Sequence, residues 1–198
     1  MTLHADALAV LTAWAAPDAA QEVLRRRYVD HLRLHEDGLT RGCRPSHLTA
    51  SVLVLDAPAE RVLLTLHARA GRWFQLGGHC EPEDATLADA AAREAREESG
   101  IADLDLDAVP VQLSEHAVPF CGPAPTSGTT PATTTHHLDV RYLAVAPPGA
   151  RPVVSDESTD LAWWPADALP EPDADLVELV ARARERLVPR RTPSARQP

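Results

Sequence analysis

The stretch GGHCEPEDATLADAAAREAREESGI, residues 77–101, constrains this chain more than any other. Leu87, Ala91, Glu94 and Glu98 follow i, i+4, i+7 and i+11, so on a helix they form one row that begins apolar and ends in two carboxylates. Glu97 flanks that row. Glu94 and Glu98 repel one another at i,i+4, and they sit at the helix end where the macrodipole disfavours negative charge. Something positive must compensate. Arg93 pairs with Glu97 at i+4 if the face is an ordinary solvated one. A hard divalent cation is the alternative, because Mg²⁺ or Mn²⁺ takes carboxylate and carbonyl oxygens while keeping several waters. The surroundings favour the cation. Gly77 and Gly78 follow a strand-like WFQL and read as a turn that lets backbone approach a ligand. Gly100 closes the helix as a left-handed cap, with Ile101 tucking back.

The rest of the chain limits what else it can be. A net charge of −10 argues against a stable nucleic-acid complex. No apolar run reaches membrane-spanning length, and ALAVLTAWAA lacks the basic flank of a secretion signal. All nineteen basic residues are arginine, which removes Schiff-base chemistry and a P-loop lysine. Cys43, Cys80 and Cys121 share no metal-type spacing, and their odd number suits a reducing cytoplasm.

Residues 3–16 and 18–35 read as amphipathic helices broken at Pro17. Asp18 and Gln21 resemble a capping box, and Val23, Leu24, Tyr28 and Leu32 form the apolar stripe. Residues 47–56 and 61–68 form a strand–turn–strand unit around DAPAE. Residues 109–118, 137–146 and DLAWWP supply further strands, and 174–187 a last helix. FCGPAPTSGTTPATTT reads as a mobile low-complexity loop. We divide the chain into an N-terminal helical extension (1–40), a main domain (41–188) and a disordered tail (189–198).

Gly78, Asp84 and the run Arg93-Glu94-Ala95-Arg96-Glu97-Glu98-Ser99-Gly100-Ile101 resemble the Nudix box, G-x5-E-x7-R-E-U-x-E-E-x-G-U with U bulky and aliphatic. The second half agrees throughout except for small Ala95 at a U position. The first half departs. Asp84 replaces the first Glu, and the interval to Arg93 is one residue longer, so no role carries over to Asp84. The resemblance spans roughly residues 47–170. It implies an α+β fold, a Nudix-type α/β/α sandwich with a mixed sheet. It also implies hydrolysis, with Mg²⁺ or Mn²⁺, of a diphosphate linkage in a nucleoside diphosphate derivative or related organic pyrophosphate.

Carried over residue by residue, the resemblance makes Glu94 and Glu98 metal ligands and Gly78 a carbonyl ligand. Glu97 becomes a further ligand or proton acceptor, and Arg93 the arginine that orients the carboxylates. Glu157, ahead of the DLAWW strand, is a candidate general base, with Glu115 as its competitor. His137, Asp139 and Arg141 alternate with apolar residues, and their polar face is expected to line the substrate cleft, with Arg141 on phosphate. Trp73, Phe74, Trp163 and Trp164 read as core or rim, and Cys80 lacks a neighbouring base. Two rivals stand beside hydrolysis: a diphosphate isomerase of the isopentenyl kind, and a nucleotide-sensing module without turnover. The partner expected is a small nucleotide or diphosphate, and a homodimer stays among the options.

Overall fold

The computed structural model describes residues 1–118, 121, 134–154 and 158–187. Two helices come first, α1 (Leu3–Ala13) and α2 (Ala19–Leu34), followed by strands β1 (Ser46–Leu55), β2 (Arg61–His67), β3 (Arg72–Phe74) and β4 (Leu76–His79). Helix α3 (Leu87–Ser99) precedes β5 (Asp105–Val118), β6 (Thr135–Val145), β7 (Ser158–Pro165) and α4 (Ala174–Leu187). The loop expected between β5 and β6 and the tail fall almost wholly outside the described residues. No helix among the described residues is long and apolar enough to cross a membrane.

The sheet is mixed, in the order β3-β2-β1-β6-β5, with β4 added to β1 and β7 to β2. β1 is its axis. It runs parallel to β6 over its whole length, from Ser46↔His136 to Leu55↔Val145, and antiparallel to β4 and β2 in succession. All ten of its residues are buried, as expected of a strand covered on both faces. Strand periodicity then divides its side chains. Leu48, Ala50, Val52 and Val54 join one core with α1, α2 and α3, while Leu53 and Leu55 join a second with α4. His47, Thr49 and Ser51 have the parity of Leu53, so the face that is apolar under α4 becomes polar towards the start of the strand.

Helix α3 lies close to the sheet because Ala90, Ala91 and Ala95 are fully buried; small side chains permit the approach, which accounts for Ala95 in place of a bulky residue. Thr86 caps its N-terminus by accepting from the Asp89 N–H at 3.0 Å. Gly100, with φ of 68°, ends it, and Ile101 is buried as expected.

The two N-terminal helices are bonded to the rest of the fold. Asp6 of α1 is buried, and its Oδ2 accepts from the Leu87 N–H at 2.9 Å, placing a carboxylate on the positive end of α3. Trp14 donates from Nε1 to the Pro110 carbonyl at 2.7 Å, beside the register shift in β5. Asp18 accepts from the Gln21 N–H, as the capping reading requires. The Gln21 side chain does not reach back, however. It donates to the Leu113 carbonyl and accepts from the Leu113 N–H, so it clamps β5 at both backbone groups. Val23 is a correction to the expected apolar stripe: it is 65% exposed, while Tyr28 and Leu32 are buried.

Two local expectations also change. Gly77 and Gly78 are strand residues, paired with Ser51 and Ala50, rather than a turn. Gly77 has φ of 152°, and a Cβ there would lie 2.5 Å from Ser51 Cα, so no other residue lets β4 come this close to β1. The DAPAE turn closes on Asp56, whose Oδ1 accepts from the N–H groups of Glu60 and Arg61.

The buried Asp6–Leu87 bond predicts that Asp6→Ala lowers the unfolding free energy by about 1–3 kcal/mol, the range for losing a charged acceptor to a buried donor. Asp6→Asn, which keeps an acceptor oxygen, should lose less. Urea denaturation of the two variants checks both statements.

Candidate active site

The site is built where β4 passes the C-terminal half of α3. Arg93 is its centre, with its guanidinium largely buried. Nε and one terminal nitrogen donate to the two oxygens of Asp84 at 3.0 and 3.1 Å, a bidentate pair. The same terminal nitrogen donates to the His79 carbonyl at 2.8 Å, and the other donates to Glu94 and Glu97 at 3.1 and 3.0 Å. Hydrogen bonding to Asp84, against the cost of burial, raises the arginine pKa further, so it is permanently cationic. Asp84 therefore has a clear place that its sequence position did not reveal. Its Oδ2 also accepts from the Glu81 N–H, so the longer loop folds back and delivers the carboxylate to Arg93.

The row of α3 is half buried, as the carboxylate argument requires. Leu87 and Ala91 are fully buried, Glu98 nearly so, and Glu97 stands 60% exposed at the side. Glu98 Oε2 accepts from the Gly77 N–H at 3.0 Å. A Cβ on Gly78 would lie 2.6 Å from a Glu94 oxygen. The glycine pair thus makes the space into which two carboxylates project beside strand backbone. Oxygen donors of this kind, converging around backbone and held by one arginine, fit a hard divalent ion.

The strand residues are distributed differently. His137, Asp139 and Arg141 share one face of β6, opposite His116, Ser114 and Gln112 of β5. Asp139 is buried and accepts from Thr49 at 3.0 Å, Ser51 at 2.7 Å and Arg141 at 3.0 Å. Burial opposes its charge, but Arg141, His116 and Ser51 outweigh that cost and hold its pKa below the usual carboxylate value. Arg141, expected on phosphate, is 4% exposed. Its guanidinium is committed to Asp139, to Gln112 at 2.9 Å and to Asp175 of α4 at 2.7 Å. The physical reason is the end of α4, which closes over this part of the sheet.

Glu115 points to the opposite face of β5 and pairs with Arg27 of α2 at 2.7 Å, so the N-terminal helices occupy it. Glu157 lies outside the described residues. Cys80 is pushed up to about 12 by burial and then by Asp84, which makes it a poor nucleophile. Trp73 and Trp164 meet edge to face at 5.3 Å, and Arg61 lies over Trp163, as core and rim residues do.

Sequence reasoning missed a group of histidines on the polar sheet face. The rings of His47, His79 and His137 lie with centroids 4.9–5.2 Å apart, and His116 stands 5.7 Å from His137. They are spread over four strands, so no spacing in the chain reports them; only the register of β1 against β4 and β6 brings them together. Burial first, then neighbouring positive charge, pulls His79 down to about 4 and His137 to about 3, and it lowers His47 and His116 as well.

The family model of the NUDIX domain matches residues 45–185. This chain belongs to the Nudix family. The domain and its hydrolase neighbours make this chain a hydrolase acting on pyrophosphate bonds. Among solved structures the Nudix chain is similar to a NUDIX-family hydrolase from Clostridium perfringens, with 21% identity and a TM-score of 0.51, covering 70% of this chain and 97% of that one. It is similar to an Ap4A hydrolase from C. elegans, in a binary complex, at 16% identity and a TM-score of 0.51, covering 71% and 96%. It is also similar to the NUDIX domain of NrtR from Shewanella oneidensis, solved with ADP ribose, at 23% identity and a TM-score of 0.51, covering 71% and 87%. At these identities the likeness establishes the fold. Comparison with curated protein sequences gives no match.

The histidine pKa values predict a pH dependence with a definite sign. The folded state keeps these rings neutral down to low pH, whereas in the unfolded chain they take up protons near 6.5. The unfolded state therefore binds more protons between about pH 4 and 6.5, so stability rises with pH through that window and is lost as pH falls through it. Each ring held neutral contributes a slope of up to about 1.4 kcal/mol per pH unit. With chelator present, denaturation at pH 7, 6 and 5 should show this loss, and His137→Asn should flatten it.

Proposed function

We propose that this Nudix protein hydrolyses a diphosphate linkage in a nucleoside diphosphate derivative or related organic pyrophosphate, with Mg²⁺ or Mn²⁺, in a reducing cytoplasm. One observation carries the reading. Arg93, locked by Asp84 and the His79 carbonyl, gathers Glu94 and Glu97 while the Gly77 N–H orients Glu98. A merely solvated face would not require a buried arginine and a backbone donor to set its carboxylates. Glu94, Glu98, Glu97 and the carbonyl of Gly78 are the groups that would hold the ion. Bound there, it supplies neutralisation of the diphosphate charge and a lowered pKa for a coordinated water.

The chain's own residues divide the remaining work. Arg93 fixes the direction of the carboxylates before substrate arrives, so little reorganisation is left for the reaction itself. Asp84 is a positioning residue that acts through Arg93. Glu97 is the exposed member of the set and so the one able to take a proton from the attacking water and pass it to solvent, with Glu157 as the second candidate base. The nucleotide half of the proposal draws on two structural neighbours, an Ap4A hydrolase and a domain bound to ADP ribose.

The test is a screen of nucleoside diphosphate sugars, dinucleoside polyphosphates and oxidised nucleoside triphosphates with each metal, scored by chromatography of the products. Metal-dependent cleavage is expected. Saturable nucleotide binding without products would favour the sensing module, and an isomerised product with the diphosphate intact would favour the isomerase. On the substrate found, Glu98→Gln and Glu97→Gln should lower kcat by roughly a hundredfold or more. Asp84→Asn should lower kcat by roughly tenfold with KM nearly unchanged, because it loosens Arg93 rather than substrate.

A further inference from the structure

We propose that His47, His79, His137 and Cys121 form a second metal site, for a four-coordinate ion of the Zn²⁺ class, separate from the carboxylates of α3. One nitrogen from each ring and the Cys121 Sγ all lie within 4.8 Å of one another. Sγ is 3.5 Å from His79 Nε2 and 3.9 Å from His47 Nε2. A tetrahedral Zn²⁺ with ordinary bond lengths separates a nitrogen and a sulfur ligand by about 3.6 Å. The two observed distances lie close to that value, and rotation of the rings closes the rest.

The protonation pattern suits an ion better than a hydrogen-bonded cluster. His47 Nδ1 faces the Cys43 carbonyl at 3.3 Å. A carbonyl only accepts, so Nδ1 carries the proton and Nε2 turns a lone pair toward Cys121. A ligating imidazole ordinarily places its second nitrogen on a carbonyl in this way. His137 Nε2 is buried without any hydrogen-bond partner, a costly state for a polar nitrogen. A single thiol proton satisfies one nitrogen; an ion at the centre satisfies three.

The ligands also arrive on rigid supports. His47 and His137 are partners in the β1–β6 ladder, and His79 sits opposite Thr49 at the end of β4. Cys121 is positioned through its carbonyl, which accepts from Arg44, and Arg44 also donates to the Thr135 hydroxyl at the start of β6. Three imidazoles and a thiol select a borderline or soft ion, whereas the carboxylates of α3 select a hard one. Four protein ligands leave no open position, so the site is structural. It ties Cys121, three positions beyond the end of β5, to the sheet and fixes His79, whose carbonyl accepts from Arg93.

The experiment uses the full chain, stripped with chelator, dialysed and titrated with Co²⁺ alone. The expected result is one tightly bound Co²⁺ with the intense visible bands of tetrahedral coordination and a thiolate charge-transfer band in the near ultraviolet. Equimolar Zn²⁺ should bleach both, and millimolar Mg²⁺ should leave both in place. Cys121→Ser should remove the charge-transfer band alone. His137→Asn should weaken Co²⁺ binding at least tenfold, and Glu94→Gln with Glu98→Gln should leave the spectrum unchanged. A weak octahedral spectrum in the unaltered chain, or a tetrahedral one abolished by the glutamate variants, would overturn the proposal. The Cys121→Ser spectrum decides the matter even if the histidine variant does not fold.

Discussion

Arg93 is the residue on which the rest of the site depends. Three carboxylates on one turn and a half of helix repel one another, and burial of the row strengthens the repulsion. A guanidinium offers donors in a fixed planar fork, so one side chain can hold Asp84 at two points and still reach Glu94, Glu97 and the His79 carbonyl. Lysine, a point charge on a flexible stem, could not fix four acceptors in defined directions. The network also joins three pieces of chain: the loop before α3, α3 itself and the end of β4.

That junction explains why the surroundings are built as they are. β4 must reach α3 closely, so Gly77 and Gly78 pair with β1 where a Cβ would collide with Ser51 or the Glu94 carboxylate. α3 must reach the sheet closely, so its inner face is alanine. Its N-terminus receives a carboxylate from Asp6, eighty-one positions away in the chain. The two leading helices are thus part of what holds the box helix in place. Through Trp14, Gln21 and Arg27 they also satisfy backbone and charge along β5.

The box helix was legible because its chemistry is local. Glu94, Glu97, Glu98 and Arg93 stand within one stretch whose helical period can be read directly, and a glycine marks where it stops. Strands β1, β2, β5 and β6 were legible for the same reason. Asp84 was not, since counting residues through an irregular loop does not say where a carboxylate turns, and a bidentate arginine decided it. Arg141 has the alternation of a cleft residue, yet α4 lies over it and Asp175 meets it from a distant part of the chain. Glu115 was drawn to Arg27 in the same manner.

By itself, then, the sequence determined the identity of the box, its apolar and acidic faces, and the mixed sequence of strands and helices that a layered sheet requires. These follow from periods of 2 and 3.6 residues and from caps, all of which act over a few neighbours. Only the tertiary structure decided which polar groups are spent on one another and which are left to act. The histidines at 47, 79 and 137 are unremarkable in the chain, and they become a cluster because parallel and antiparallel register sets three strands side by side. Register is a property of paired strands, fixed by which face the core buries, and no single strand carries it.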